Sequence, residues 1–273
     1  MNWELGKDKA IALGERLKRV DLEPYYNIDL RSLFSDSSFQ WRLDYTGSGV
    51  GVDWRDPMPE KDQLGYILMR PPVSQLTWTC LPENRLPGGR GSGQTPHWEI
   101  PDLRGDFETP VGVPFLTDEE TRVLALHNTE PHGLLPSAAI LQLNEPIGLE
   151  KVYLLTANLT KTLKCYYPGA EVIVHYTDQG EQLTQLIPPY TMSCMAEHFS
   201  PTCYPIRFGK LVGSPVLPRP ESIGLALSDI VLDPQRAVAQ IEFRCVASET
   251  IFGILGVTLL QPAQPIRRPQ RGL

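Results

Sequence analysis

The stretch that decides the fold is AVAQIEFRCVA at Ala237–Ala247, followed closely by IFGILGVTLL at Ile251–Leu260. In the first run apolar and polar side chains alternate: one face would carry Ala239, Ile241, Phe243 and Cys245, and the other Gln240, Glu242 and Arg244. A period of two with one apolar face predicts a half-buried strand of an antiparallel sheet. The second run is almost continuously apolar, which predicts a central strand covered on both faces.

Four similar runs precede these two. They are VYLLTANL at Val152–Leu159, AEVIVHYT at Ala170–Thr177, EQLTQLI at Glu181–Ile187 and SIGLALSDIVL at Ser222–Leu232. The first is again nearly all apolar, so it is predicted to be a second central strand. Asp178-Gln179-Gly180 separates the next two and predicts a hairpin. Several short strands at close spacing predict an all-β sandwich or barrel.

The second of these four runs also alternates. Val172, Val174 and Tyr176 are predicted to lie on one face, and Glu171, Ile173 and His175 on the other. This places His175 on the face turned away from the core, where it is a candidate ligand-binding residue.

The beginning of the chain has a different pattern. KDKAIALGERLKRV at Lys7–Val20 has apolar residues at roughly helical spacing, which predicts an amphipathic helix. The chain is therefore divided into an N-terminal helical segment at 1–20, one β-sandwich at 21–260 with a long loop-rich insertion at about 45–104, and a Pro-rich flexible tail at 261–273.

The strand runs occur in an order that resembles one family. The order comprises VDLEPYYN (Val20–Asn27), GVPF (Gly112–Phe115), LPSAAILQL (Leu135–Leu143), EKVYLLTAN (Glu150–Asn158), AEVIVHYTDQG (Ala170–Gly180) and LDPQRAVAQIEFRCVASETIFGILGVTLL (Leu232–Leu260). It is similar to the galactose-binding-domain-like jelly rolls, which are accessory modules of large bacterial carbohydrate-active enzymes. The resemblance implies a jelly-roll β-sandwich, an oligo- or polysaccharide ligand, a neighbouring catalytic domain and a structural calcium ion, although no Asp-rich loop is a compelling match for calcium.

Charge and hydropathy argue against a nucleic-acid-binding protein and against a membrane-spanning one. The net charge is −7 and the basic residues are scattered, which argues against a protein that binds duplex nucleic acid. No run of 18 apolar residues is present, so a membrane-spanning helix is not expected.

The charged start MNWELGKDKA is not a secretory signal peptide. We therefore expect a cytoplasmic protein if the chain is complete, and an extracellular one if it is a domain of a secreted enzyme.

The five cysteines are Cys80, Cys165, Cys194, Cys203 and Cys245. Their odd number excludes a complete disulfide framework. Cys245 is predicted to be a buried free thiol. Cys194 and Cys203 are left either unpaired, in one disulfide, or with His198 in a metal site whose spacing matches no common zinc pattern.

The candidate sugar-binding residues lie mainly in the first half, where all five Trp occur. Asp53 and Trp54 are neighbours, as are His97 and Trp98, and Arg104 follows shortly after. A pyranose stacks its apolar face on an exposed ring while charged groups hydrogen-bond its hydroxyls. With His175, these residues form the predicted ligand surface.

No nucleophile, zinc or dinucleotide motif is present. The acidic residues Asp53, Asp56, Glu99, Asp102, Asp106 and Glu108 leave an enzymatic reading open, since glycosidases use two carboxyl groups. The sequence thus favours a non-catalytic carbohydrate-binding or supporting module. The alternatives are a small glycoside hydrolase or polysaccharide lyase using loop carboxylates with His97 or Arg104, and a self-assembly protein using an apolar loop at Tyr204–Val212.

Overall fold

The computed structural model describes residues 14–29, 97–99, 105–118, 122–128, 135–158, 167–188, 190–192, 204–212, 222–247 and 250–263, with the backbone alone at 29, 97–99, 204–212 and 222–224. Fourteen strands fall in these ranges: β1 Leu17–Val20, β2 Ile28–Asp29, β3 His97–Glu99, β4 Gly105–Glu108, β5 Pro114–Thr117, β6 Arg122–His127, β7 Ala138–Gly148, β8 Lys151–Asn158, β9 Ala170–Tyr176, β10 Glu181–Leu186, β11 Tyr204–Val212, β12 Ser222–Val231, β13 Ala237–Cys245 and β14 Ile251–Leu260. Two 3-10 turns, Gly14–Arg16 and Glu23–Tyr25, complete them. In this part of the chain no helix is long and apolar enough to cross a membrane.

The strands form two principal antiparallel sheets. The larger has the order β2-β6-β14-β8-β12-β11-β3, with β1 also paired to β14, and the smaller has the order β10-β9-β13-β7. Side chains from both sheets meet in one apolar core: Leu124, Leu126, Val152, Leu154, Phe252 and Ile254 come from the larger sheet, and Leu141, Val172, Val174, Ile241 and Phe243 from the smaller. The predicted antiparallel β-sandwich is therefore confirmed.

A third layer covers the opposite face of the larger sheet. β4 and β5 form a two-stranded hairpin. Phe115 of β5 is fully buried and lies against Gly256 of β14. The Thr258 hydroxyl donates a hydrogen bond to the Pro114 carbonyl. All ten residues of β14 are buried as a result. The predictions that β14 and β8 are central strands covered on both faces are confirmed.

All six strand runs from the sequence correspond to strands of the structure, namely β8, β9, β10, β12, β13 and β14. The Asp178-Gln179-Gly180 hairpin is also confirmed, because β9 and β10 pair from His175 and Glu181 onward. Gly180 N–H donates to the Asp178 side chain at 2.9 Å. Gln179 takes a positive φ of 65° to close the turn.

One side chain of β13 lies on a different face from the one predicted. The pairing of β13 with both neighbours shifts between Val238 and Gln240. This β-bulge adds a residue, so Val238 points into the core in place of Ala239. Beyond the bulge, Ile241, Phe243 and Cys245 face inward as predicted.

The N-terminal helix prediction is wrong for its last residues. Leu17–Val20 is β1, which pairs with Val257–Leu260 of β14, and Gly14–Arg16 is a single 3-10 turn. Residues 7–13 lie outside the described ranges. Helical spacing over so few residues is weak evidence for a helix. Leu17–Val20 forms a strand because β14 offers it a pairing partner at Val257–Leu260.

Two further assignments need correction. VDLEPYYN was predicted to be an opening strand, but Asp21–Asn27 forms the turn between β1 and β2. Tyr204–Val212 was predicted to be a loop, but it is β11, between β12 and β3. Residues 45–96, 100–104 and 264–273, which hold most of the predicted insertion and tail, lie outside the described residues.

Candidate functional site

A cavity of about 400 Å³ is present in the described structure. It opens where the turn after β1, the β4–β5 hairpin and the start of β6 meet. Its lining is predominantly polar, with three carboxylates, one guanidinium, a phenol and a hydroxyl: Asp21, Glu23, Tyr26, Gly105, Leu116, Thr117, Asp118 and Arg122.

The turn after β1 is built by local hydrogen bonds and one apolar anchor. The Asp21 carboxylate accepts from the Glu23 N–H at 2.9 Å, and Tyr25 N–H donates to the Leu22 carbonyl at 2.8 Å. Leu22 is buried in the core of the sandwich. Pro24 fixes the backbone of the 3-10 turn. Leu22 therefore fastens the turn to the core while Asp21 and Glu23 are directed to the cavity.

Asn27 attaches the end of this turn to β6. Its N–H donates to Val123 O at 3.1 Å, its amide donates to Ala125 O at 2.9 Å, and its side-chain oxygen accepts from Ala125 N–H at 2.8 Å. One asparagine thus continues the main-chain ladder into β2, which keeps the acidic turn beside β6.

Asp118 and Arg122 form the floor of the cavity. The Arg122 guanidinium donates to the Asp118 carboxylate, with Nη2 2.8 Å and Nε 3.1 Å from Oδ1, and the Arg122 N–H donates to Oδ2 at 2.9 Å. The Asp118 side chain is only 5% exposed, whereas that of Arg122 is 34% exposed. The Arg122 guanidinium therefore balances the charge of the buried Asp118 carboxylate. Its solvent-facing side also approaches Glu23, with Nη2 3.4 Å from Oε1.

Tyr26 contributes a ring whose hydroxyl is already used. The hydroxyl donates to the Leu255 carbonyl at 3.1 Å. Burial, together with the nearby Asp118 and Asp21 carboxylates, raises the pKa of Tyr26 far above its ordinary value. The phenol thus stays protonated, and Tyr26 lines the cavity with its hydroxyl hydrogen-bonded to the Leu255 carbonyl.

The β4–β5 hairpin lines another side of the cavity. Gly105 has a φ of 68°, a left-handed conformation that glycine adopts without strain, and its carbonyl accepts from the Thr117 hydroxyl at 3.0 Å. Leu116 is the apolar part of this wall. The cavity therefore combines carboxylate acceptors, a guanidinium donor and a small apolar surface.

His175 lies on a different surface, the outer face of the smaller sheet. Strand register places Glu181, His175, Gln240 and Gln142 in one row across β10, β9, β13 and β7. The next row holds Leu183, Ile173, Glu242 and Ile140. The prediction that His175 lies opposite the core-facing Val172 and Val174 is confirmed.

Both ring nitrogens of His175 lie near carboxylates. Nδ1 is 3.0 Å from Glu181 Oε1, and Nε2 is 3.0 Å from Glu242 Oε2. Glu242 also accepts from Arg244, and these hydrogen bonds lower the pKa of Glu242, that from Arg244 most strongly. The ring therefore links β10 to β13, and Glu181 and Arg244 are the charged groups of this network most exposed to solvent.

The other predicted site residues are only partly covered by the described ranges. His97 and Trp98 lie on β3, at the edge of the larger sheet beside Val212 and Leu211 of β11, and only their backbone is described. Asp53, Trp54 and Arg104 lie outside the described residues. Their role in ligand binding stays a prediction.

Sequence reasoning missed the residues that line the cavity. Asp21 and Glu23 belong to a segment interpreted as a strand, and Asp118 and Arg122 were given no role. A usable pattern was present, because Asp-x-Glu-Pro is typical of a turn closed by the aspartate side chain. The meeting of this turn with β5 and β6 depends on strand pairing between distant segments.

In the described part of the chain, no group of three or more His, Cys, Asp or Glu side chains is arranged to hold a metal ion. Cys245 is a buried free thiol, as predicted. Cys194 and Cys203 lie outside the described residues, so their pairing stays open.

Comparisons of the chain with protein-family models, curated proteins and solved structures gave no match. The resemblance to the galactose-binding-domain-like modules therefore stays a prediction from the strand pattern.

Proposed function

We propose that this protein is a carbohydrate-binding β-sandwich module of the jelly-roll kind, supporting polysaccharide processing by a neighbouring catalytic domain. The observation that supports the proposal most is the polar cavity of about 400 Å³ between the acidic turn, the β4–β5 hairpin and β6. Its volume lies near the lower end of the range for small-molecule sites. It therefore suits one end of a sugar chain more than a long segment.

The chemistry of the lining suits a polyhydroxylated ligand. Sugar hydroxyls both donate and accept hydrogen bonds. The exposed Glu23 carboxylate accepts from them, and the solvent-facing side of the Arg122 guanidinium donates to them. Leu116 and the Tyr26 ring offer apolar surface to the C–H groups of a pyranose. The predicted Trp54 and Trp98 would add stacking surface for further sugar units.

The runner-up is a small carbohydrate-active enzyme. The observation that favours it is the presence of more than one carboxylate in the same cavity. Asp118, however, is held in an ion pair with Arg122, and Asp21 accepts a backbone N–H of its own turn. Both are committed to structural bonds, so binding is the better-supported function.

The test begins with a glycan array on the full chain, followed by calorimetric titration of any sugar that binds. Glu23→Gln keeps the size of the side chain but removes a charged acceptor in the cavity, so it should weaken binding about tenfold or more. Glu181→Gln is the matched control on the His175 face and should bind normally.

The other outcomes of these experiments would place the binding site elsewhere, favour an enzyme or contradict the proposal. Loss of affinity in Glu181→Gln alone would place the site on the His175 face. Loss in Trp54→Ala or Trp98→Ala alone would place it in the first half of the chain. Release of reducing sugar from the bound glycan would favour the enzyme, and a protein that binds no glycan would contradict the proposed function.

A further inference from the structure

We propose that two copies of this chain form a dimer by antiparallel pairing of their β7 strands. The pairing would join the two four-stranded sheets into one continuous eight-stranded sheet. This inference is independent of carbohydrate binding, because it rests on the edge of the smaller sheet and not on the cavity.

Among the described strands, β7 lies at one end of the smaller sheet. In the described structure its only strand partner is β13, through Ala138–Gln142 and then Ile147–Gly148. Cys245 N–H donates to the Ser137 carbonyl at 2.9 Å, which fixes the phase of the ladder. Because main-chain groups alternate in direction along an antiparallel strand, those of Ala138, Ile140 and Gln142 point away from β13. Within the part of the chain that the structure describes, these three residues therefore present donors and acceptors that no other strand pairs with.

Over Ala138–Gln142 this edge lacks the features that usually prevent pairing with another chain, because the irregular part of β7, with Glu145 and Pro146, begins only after Gln142. Ser137–Leu143 reads SAAILQL and contains neither a charged residue nor a proline. Natural edge strands are commonly protected by lysine, proline or a bulge. Ile140 is moreover 42% exposed, on the outer face of the sheet. An uncharged stretch that keeps regular register from Ala138 to Gln142, with an exposed apolar side chain at Ile140, favours a strand partner.

The partner that fits this edge is a second copy of itself. In an antiparallel arrangement centred on Ile140, each Ile140 lies opposite its counterpart, and Ala138 lies opposite Gln142. Every one of these positions exchanges two main-chain hydrogen bonds, giving about six across the interface. No like charges are opposed, and the exposed Ile140 side chains come into contact across the two-fold axis.

The length of the free segment agrees with this register. Pro136 precedes it and Pro146 follows it, and neither proline has an N–H to donate. Glu145, the one charged residue of β7, lies beyond the paired positions. A two-fold axis at Ile140 therefore pairs Ala138–Gln142, which is uncharged, and leaves Glu145 outside the interface.

Light scattering after size-exclusion chromatography of the full chain tests the proposal. The unmodified protein should have twice the mass of one chain at micromolar concentration. Ile140→Lys should halve that mass, because it puts two like charges opposite each other. Leu183→Lys is the matched control, since Leu183 is 53% exposed on the same outer face but on β10, at the other edge. It should remain dimeric, and thermal melts should show that both variants fold.

A covalent trap provides a second measurement. In a hydrogen-bonded antiparallel pair the two Cα atoms are about 5.5 Å apart, which lies within the range for a disulfide. Ile140→Cys should therefore give a covalent dimer on mild oxidation, beyond any background of the unmodified protein. Leu183→Cys should not. A single-chain mass for the unmodified protein, a dimer that survives Ile140→Lys, or a folded Ile140→Cys that does not cross-link would each overturn the proposal.

Discussion

At the scale of single residues, Arg236 fastens the β9–β10 turn from outside. Its guanidinium donates to both oxygens of Asp178, with Nε 2.9 Å from Oδ2 and Nη2 2.7 Å from Oδ1. It also stacks on the Tyr176 ring, 3.7 Å from the centroid. Two hydrogen bonds and a ring contact hold one flexible side chain in a fixed position, so the turn is tied to the start of β13.

The ion pair predicts a pH dependence at low pH. The hydrogen bonds from Arg236 lower the pKa of Asp178 from 3.8 to about 2. Because the pKa is lower in the folded state, the pair stabilises the fold above the ordinary pKa and loses that effect as the pH falls from 3.8 to about 2. Asp178→Asn should therefore melt below the unmodified protein at pH 6, and the gap should close near pH 2. Since the pair is at the surface, salt should narrow the gap. A gap that is the same at both pH values would contradict this origin.

Single residues also explain where the alternation of apolar and polar residues predicted the correct face of a strand. It placed Val172, Val174 and Ile241 in the core and His175 outside, because those stretches are regular in the structure. It failed at Ala239, where the bulge adds one residue to β13. A bulge leaves little trace in the local pattern of apolar residues, so the sequence alone could not locate the shift.

At the scale of elements, the β4–β5 hairpin depends on a close approach to β14. A Cβ added at Gly256 would lie 2.8 Å from the Phe115 ring and 3.1 Å from its Cβ. Phe115 is fully buried, so it has little room to move. Gly256 is thus the position that lets the third layer pack against the larger sheet.

Gly256→Ala should therefore destabilise the fold by about 1–3 kcal/mol, the usual cost of overpacking a core. Urea unfolding followed by circular dichroism would measure it. Phe115→Leu in the same chain should recover part of the loss by removing the ring that is too close. The control is Gly14→Ala, where an added Cβ meets nothing within 4 Å. Equal effects at Gly14 and Gly256 would contradict the packing argument.

The elements near the cavity were the least predictable from sequence. Leu17–Val20 carries a helix-like pattern, yet it becomes β1 because β14 provides a partner along Val257–Leu260. The cavity in turn depends on the turn that follows β1 reaching the hairpin and β6. Local patterns predicted the second-half strands, whereas the contacts between distant segments that form the cavity could not be derived from them.

At the scale of the whole molecule, the two sheets share one apolar core, and Cys245 lies within it. Cys245 is 3% exposed, and its thiol lies near three carbonyl oxygens, including that of Thr250 at 3.2 Å. Burial raises the pKa of this thiol to about 12. In the folded state the thiol is therefore protected from alkylation, because it is inaccessible to the reagent and stays protonated.

Cys245 should accordingly report the unfolding of the whole sandwich. In native buffer at pH 8 it should resist alkylation by iodoacetamide, since the reaction requires an accessible thiolate. In increasing urea, its labelling should rise with the same midpoint as the loss of circular dichroism, because both sheets must separate to expose it. Mass spectrometry of the peptide that contains Cys245 distinguishes it from the other four cysteines. The Asp178→Asn variant should shift both midpoints equally. Labelling well below the unfolding midpoint would instead show that the smaller sheet opens by itself, and that the two sheets are not one cooperative unit.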